Sequence, residues 1–225
     1  MILLIFLKRS GNCFNWFTLQ KPLDGKDKFM KKALIVVDVQ NDFVEGGSLE
    51  CKGGKEVAKN IKRMLDSDKL KNEYSLIIST QDWHKGDRHS NGGHISASPD
   101  YIDTWPTHCI ANTKGADFAE PLIATDFDHL MLKGYGSPSY SGFSKNAYEK
   151  ENKSLSLQEI LKTENITSVD IVGIAFDYCV AQTAKDASKE GLNVRVLKYL
   201  TATINQENEN LIRNELTDLE IEVID

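Results

Sequence analysis

Ala33-Leu34-Ile35-Val36-Val37-Asp38-Val39-Gln40 carries five apolar residues straight into an aspartate. A run this short, rich in β-branched side chains and preceded by Lys31-Lys32, predicts a strand covered on both faces. The pattern recurs at Leu76-Ile77-Ile78-Ser79, Leu130-Met131-Leu132, Val169-Asp170-Ile171-Val172, Val194-Arg195-Val196-Leu197 and Ile221-Glu222-Val223-Ile224. Between these runs the period changes. Val57, Ile61, Met64 and Leu65 fall at helical spacing within 54–68, and Ser156-Leu157-Gln158-Glu159 offers a capping box for another helix. Residues 178–190 and 206–216 read as two more helices. Strands alternating with helices predict a single three-layer α/β/α domain over 31–225, with a mostly parallel central sheet. Residues 1–30 differ in character, with an apolar start at Met1 to Leu7 and a polar stretch after it. They read as a loosely held N-terminal extension, or as sequence upstream of a true start at Met30.

The 225 residues include 27 Lys+Arg against 33 Asp+Glu, a formal net charge of -6 that speaks against a nucleic-acid partner. A single domain of this length buries roughly 70% of its extended surface, enough for a large core and an enclosed site. The apolar run Met1 to Leu7 is too short to span a bilayer, which takes ~20 residues, and it lacks the basic lead and cleavage site of a secretory signal. The expectation is a cytoplasmic protein without a membrane partner. Cys13, Cys51, Cys109 and Cys179 are scattered and form no Cys-x-x-Cys pair, so they are expected to be free thiols.

In an open parallel sheet, ligands bind beyond the carboxyl ends of the strands. Asp38 ends the first strand, Asp82-Trp83-His84 follows the second, Lys133 ends the third, and Cys179 follows the fourth. An acid, a metal-type pair, an amine and a thiol are thus predicted at one edge. Cys179 enters a helix, where unpaired N–H groups would lower its pKa and favour thiolate. Taken alone, it reads equally well as a nucleophile or as a small buried hydrophobe. Asp38 sits at the rim of a core, where desolvation raises a carboxyl pKa and suits proton transfer. A lysine near both, Lys133, would hold developing charge. Asp82 and His84 share a face of extended chain, and His108 can return a third ligand. Such a set suits zinc or iron better than calcium. His89 or His94 is a candidate fourth ligand, and His129 has no assigned role.

With these residues in place, the chain resembles the nicotinamidase branch of the isochorismatase-like cysteine hydrolases. The matching stretches are Val36 to Phe43 with Gly46-Gly47-Ser48-Leu49, Thr80-Gln81-Asp82-Trp83-His84, and Trp105-Pro106-Thr107-His108-Cys109. They continue with Lys133-Gly134, Tyr140-Ser141-Gly142-Phe143, Gly173-Ile174-Ala175 and Asp177-Tyr178-Cys179-Val180. The resemblance implies Cys179 as nucleophile, Asp38 as general base and Lys133 as its partner. It also implies one divalent transition metal on Asp82, His84 and His108, zinc first with iron or manganese as alternatives, and the pyridine nitrogen of nicotinamide bound to it. It implies a cis bond between Ile174 and Ala175, an oxyanion hole from the N–H groups of Ala175 and Cys179, and a ring pocket walled by Phe43, Trp105 and Tyr178. The implied reaction converts nicotinamide to nicotinate and ammonia through a thioester, in NAD salvage. A homo-oligomer is compatible with the pattern.

Two departures carry expectations of their own. His94-Ile95-Ser96 lies ten residues after His84 and ends in Ala97, which implies a loop insertion around Gly86 to Gly93. Phe176 stands where the family commonly has a small residue, which predicts an altered pocket. The competing functions are hydrolysis of another small carboxamide, pyrazinamide-like or N-carbamoyl, and a non-catalytic binding protein of the same fold.

Overall fold

A computed structural model describes residues 31–86 and 92–225. The proposed extension 1–30, Cys13 within it, and His89 lie outside the described residues. Seven strands form one sheet in the order β4-β3-β2-β1-β5-β6-β7. They are β1 (Lys31–Val37), β2 (Leu76–Asp82), β3 (His129–Lys133), β4 (Tyr148–Glu149), β5 (Ile166–Ile174), β6 (Asn193–Ala202) and β7 (Glu222–Ile224). All neighbours pair parallel except β3 and β4.

The two-residue period of β1 sorts its side chains between two cores. Leu34 and Val36 pack with Val57, Ala58, Ile61 and Leu65 of α1 (Gly54–Leu65). Ala33, Ile35 and Val37 pack on the other face with Leu157, Ile160 and Leu161 of α3 (Leu157–Thr163), Ala184 and Ala187 of α4 (Ala181–Lys189), and Leu216 of α5 (Glu209–Asp218). Each fully buried aliphatic side chain stabilises the fold by about 1.5–3 kcal/mol. Helices on both faces of the sheet make the three layers that the alternating pattern predicts.

The six expected strands are all present. The capping box forms as read: Ser156 Oγ accepts from the Glu159 N–H, and Glu159 accepts from the Ser156 N–H. The helix expected over 54–68 stops at Leu65, and a second short helix, α2 (Asp68–Glu73), follows it. The helix expected from 178 begins instead as a π-turn, Phe176–Val180, ahead of α4, and a 3-10 turn, Gln206–Asn208, precedes α5. β4, only two residues long, carries no readable period.

β1 is flanked by β2 and β5, so the chain reverses direction of winding beside it and opens a crevice at the strand ends. There the backbones of β1 and β5 approach closely. A Cβ on Gly173 would lie 2.1 Å from the Val37 carbonyl oxygen, and its φ of +115° also excludes most side chains.

The opposite end of the sheet holds a buried ion pair. Asp170, on β5, receives both Nε and Nη2 of Arg195 (2.7 and 2.5 Å), the Tyr74 hydroxyl, and Lys32 Nζ at 3.4 Å. Burial opposes its ionisation, but the bonds from Arg195 and Tyr74 outweigh that and hold its pKa below the usual carboxylate range. This stabilisation is complete above the ordinary aspartate pKa near ~3.9 and is lost as pH falls through the lower folded-state value. Replacement Asp170→Ala should lower unfolding free energy by about 2–3 kcal/mol in urea titration at neutral pH. That is less than a fully enclosed pair would cost, because the Arg195 and Lys32 side chains are 34% and 20% exposed. The deficit should shrink in acid; a deficit unchanged with pH would contradict the ionic origin.

Candidate active site

Asp38 leaves β1 with φ +49°, a left-handed conformation uncommon outside glycine and typical of functional strand ends. Its carboxylate is fully buried, with Oδ1 accepting from Thr80 Oγ1 at 2.6 Å and Oδ2 2.8 Å from Lys133 Nζ. Burial raises its pKa, and Lys133 offsets only part of that. Lys133, at the end of β3, is also fully buried. Its ammonium reaches Asp38, Asp82 Oδ1 (2.5 Å), the Ser139 carbonyl (3.0 Å) and Cys179 Sγ (3.6 Å). Burial would discharge the amine, but the carboxylates of Asp38 and Asp82 outweigh it and keep the lysine charged.

Cys179 comes from the turn that ends β5. The Ile174–Ala175 peptide is cis, as the resemblance implied, and the Ala175 carbonyl accepts from both Tyr178 N–H (3.1 Å) and Val180 N–H (3.0 Å). The carboxylate of Asp177 pins the same turn to the exit of β6 by accepting from Ile204 and Asn205 N–H groups (3.0 and 2.9 Å). The expectation of a resting thiolate is not met. Burial pushes the Cys179 thiol well up, and Lys133 offsets this only in part. A thiol held this way needs a proton acceptor nearby before it can act as a nucleophile. Asp38 is there: carboxylate oxygens of Asp38 and Asp82 and the Cys179 Sγ lie within 4.8 Å of one another. Cys51 and Cys109 are free and buried, and burial pushes Cys51 to about 12.

Beside this triad, Asp82 is locked by Gln40, whose amide donates to the Asp82 carbonyl (2.9 Å) and accepts its N–H (2.8 Å). His84 Nδ1 bonds the Gly134 carbonyl (3.1 Å), and His108 Nδ1 bonds the Pro106 carbonyl (2.7 Å). A carbonyl only accepts, so each ring donates from Nδ1 and turns its Nε2 toward Asp82. Those two nitrogens lie 3.6 and 3.8 Å from Asp82 Oδ2. Gly134 makes room for this, since a Cβ there would stand 2.7 Å from His84 Cε1.

His94 completes the group. Ring nitrogens of His84, His94 and His108 lie within 4.8 Å of one another, and all three side chains are buried. Burial, then the neighbouring His108, pushes the His94 pKa down to about 4, so it stays a neutral donor. Buried His84 Nε2 has no hydrogen-bond partner among the described residues. Three imidazoles and a carboxylate, with one ring nitrogen left without a partner, fit a divalent transition metal, and the outer nitrogens of His84 and His108 are already fixed as metal-ligating histidines usually are. Of the two candidate fourth ligands, His94 joins the predicted Asp82, His84 and His108. The loop departure does not displace it, because the Trp105 N–H bonds the His94 carbonyl (2.9 Å) and the Ser96 N–H bonds the Trp105 carbonyl (2.9 Å). His129 begins β3, away from the cluster, as expected.

A cleft of about 350 Å³ opens onto Cys179, Asp82, His94 and His108. All four residues expected at the substrate, Phe43, Trp105, Ala175 and Tyr178, line it. Trp105 meets the Tyr178 ring at 87° and 5.0 Å, and its indole N–H donates to the Tyr140 hydroxyl at 2.9 Å. Sequence reading missed Tyr140, Leu49, Ile174 and Ile204 as lining residues; the first three sat inside the quoted stretches without a lining role. Phe176 is not among the residues that line the cleft. It is fully buried in the core with Lys198 Nζ 4.9 Å from its ring centroid.

Comparison with known proteins agrees with this geometry. The Isochorismatase domain model matches residues 32–225. The nicotinamidase/pyrazinamidase of Mycobacterium tuberculosis is 37% identical over 193 residues, covering 86% of this chain and 98% of that protein. The crystal structure of PnC1 from L. infantum in complex with nicotinate superposes with a TM-score of 0.71 at 30% identity, covering 87% of this chain and 92% of that one. The pyrazinamidase of Pyrococcus horikoshii in complex with zinc gives 0.70 at 31% identity, over 86% of this chain and 98% of that one. The chain belongs to the isochorismatase family.

Replacement His94→Ala should weaken zinc binding at least about tenfold in competition with a chelating dye, the low end expected for disturbed metal sites. Unchanged zinc affinity would remove His94 from the ligand set.

Proposed function

We propose that this protein is a nicotinamidase, hydrolysing nicotinamide to nicotinate and ammonia in NAD salvage. The observation that carries the reading is one buried ammonium, Lys133, touching Asp38, Asp82 and Cys179 at the edge of a three-histidine cluster and an aromatic-walled cleft. The printed activities of the Mycobacterium tuberculosis relative and the nicotinate in the L. infantum structure support it.

In the reading we favour, Phe43, Trp105 and Tyr178 hold the flat ring and aim the carboxamide at Sγ. Asp38 takes the thiol proton as Sγ attacks the amide carbon, so the proton leaves while the sulfur–carbon bond forms. Backbone N–H groups of Ala175 and Cys179 hold the oxygen as it gains charge, and the Lys133 ammonium steadies the carboxylates around it. The carbon–nitrogen bond then breaks, and Asp38 passes the proton to the departing ammonia. For the second half, Asp38 takes a proton from an incoming water, which attacks the thioester. The carbon–sulfur bond breaks, the proton returns to Sγ, and nicotinate leaves. Asp82, His84, His94 and His108 would hold a divalent metal, zinc in our proposal, which would supply Lewis acidity toward a ring nitrogen of the substrate. A cytoplasmic setting belongs to the same proposal; among the described residues no helix is long and apolar enough to cross a membrane.

A second reading, action on pyrazinamide-like amides, draws on the double name of the Mycobacterium tuberculosis relative, and the same cleft would serve both rings. A non-catalytic role is disfavoured, because a buried acid, amine and thiol in contact have no structural need to be there.

The test is ammonia release from nicotinamide by the zinc-loaded protein. Turnover should vanish with Cys179→Ala, fall at least about 10³-fold with Asp38→Asn, and be lost on chelation and restored by zinc. Undiminished turnover by Cys179→Ala would refute the thioester route. A zinc-loaded wild type that releases ammonia from pyrazinamide alone would move the assignment to the second reading.

A further inference from the structure

The wall of the cleft is built from outside as well as within. Trp105 is 2% exposed, yet the residue that braces its outer side, Tyr101, is 56% exposed. The two rings stand perpendicular, 87° apart with centroids 6.2 Å apart, while Tyr178 meets the indole at the same angle. With Nε1 anchored on the Tyr140 hydroxyl, the indole plane is fixed by three separate contacts.

Tyr101 is held out there by its backbone. It sits at φ +58°, which is rare for a bulky side chain. The turn that imposes this centres on one oxygen, Asp100 Oδ1, which accepts from the N–H groups of Ile102, Asp103 and Thr104 (3.0, 3.0 and 2.9 Å). Thr104 closes the ring from the other side, its Oγ1 accepting from Asp100 N–H (3.0 Å) and its carbonyl from Tyr101 N–H (3.0 Å). The next residue is Trp105. The turn thus sets both the backbone of Tyr101 and the entry to Trp105.

We propose that Asp100 and Tyr101 are positioning residues, a clamp that fixes the Trp105 indole against which a flat aromatic ring binds. They touch no reacting atom, and the inference rests on the proposed function, since it assumes an aromatic carboxamide in the cleft. The clamp acts on binding and not on the bond-making step, so it moves KM and leaves kcat alone.

The test compares full-length, zinc-loaded Tyr101→Asn, Tyr101→Phe, Asp100→Ala and Asp100→Asn with the wild type. Asparagine suits the left-handed backbone, so Tyr101→Asn removes the ring without forcing the turn. Both KM for nicotinamide and Kd for nicotinate by calorimetry should rise about two- to tenfold in Tyr101→Asn and Asp100→Ala, the range of one aromatic pair. Their kcat should stay within about twofold, a change too small to count against the binding role. Tyr101→Phe keeps the ring and Asp100→Asn keeps the accepting oxygen, so both should match the wild type. Wild-type KM and Kd in Tyr101→Asn, or a fall in kcat at constant KM, would overturn the clamp while leaving the hydrolase reading intact. A wild type that neither hydrolyses nicotinamide nor binds nicotinate would overturn both.

Discussion

Everything at the crevice depends on where the Lys133 charge sits. An ammonium sealed from water is tolerable only beside opposite charge, and here two carboxylates and a carbonyl oxygen surround it. The arrangement is mutual. Without the lysine, Asp38 and Asp82 would be two acids forced together in a dry pocket, and one would take up a proton. With it, the charges are held at fixed places, and the Cys179 thiol lies beside both a positive charge and a proton acceptor. The strand ends supply this geometry cheaply, because β1, β2, β3 and the turn after β5 converge there and each delivers one side chain.

Asp82 joins the two halves of the site. One of its oxygens belongs to Lys133, and the other faces the Nε2 atoms of His84 and His108. The chain invests heavily in holding it still: Gln40, two residues beyond Asp38, grips its backbone on both sides. The motif that begins at the end of β1 thus does two jobs, offering one acid directly and fixing another through the neighbouring strand. The histidines are oriented with the same economy, by carbonyls that can only accept.

Much of this was legible before any coordinates. Short apolar runs report strands because the covered sheet demands them, and reactive residues directly after such runs report the crevice because parallel strands all end on one side. Phe43, Trp105, Ala175 and Tyr178 were placed by resemblance, and each lines the cleft. What stayed hidden has identifiable causes. His94 was named only as one of two candidates, because its approach depends on pairing between its own segment and Trp105, a contact no local period encodes. Ile204 reaches the cleft because Asp177, 27 residues earlier, draws the end of β6 inward. The thiolate expectation failed because helix position was weighed without burial, and burial is the larger effect at Cys179. Phe176 misled in the opposite sense, since a residue next to a site in sequence can point into the core.

The sheet's margins have a consequence of a different kind. Its outer strands are β4, with two residues, and β7, with three. A foreign strand adding to either of these outermost strands would find only a few backbone donors and acceptors on it. Crowded in a cell or concentrated in a tube, such molecules gain little by pairing these two outermost strands. Association between copies would then lean more on side chains, where sequence can choose the partner.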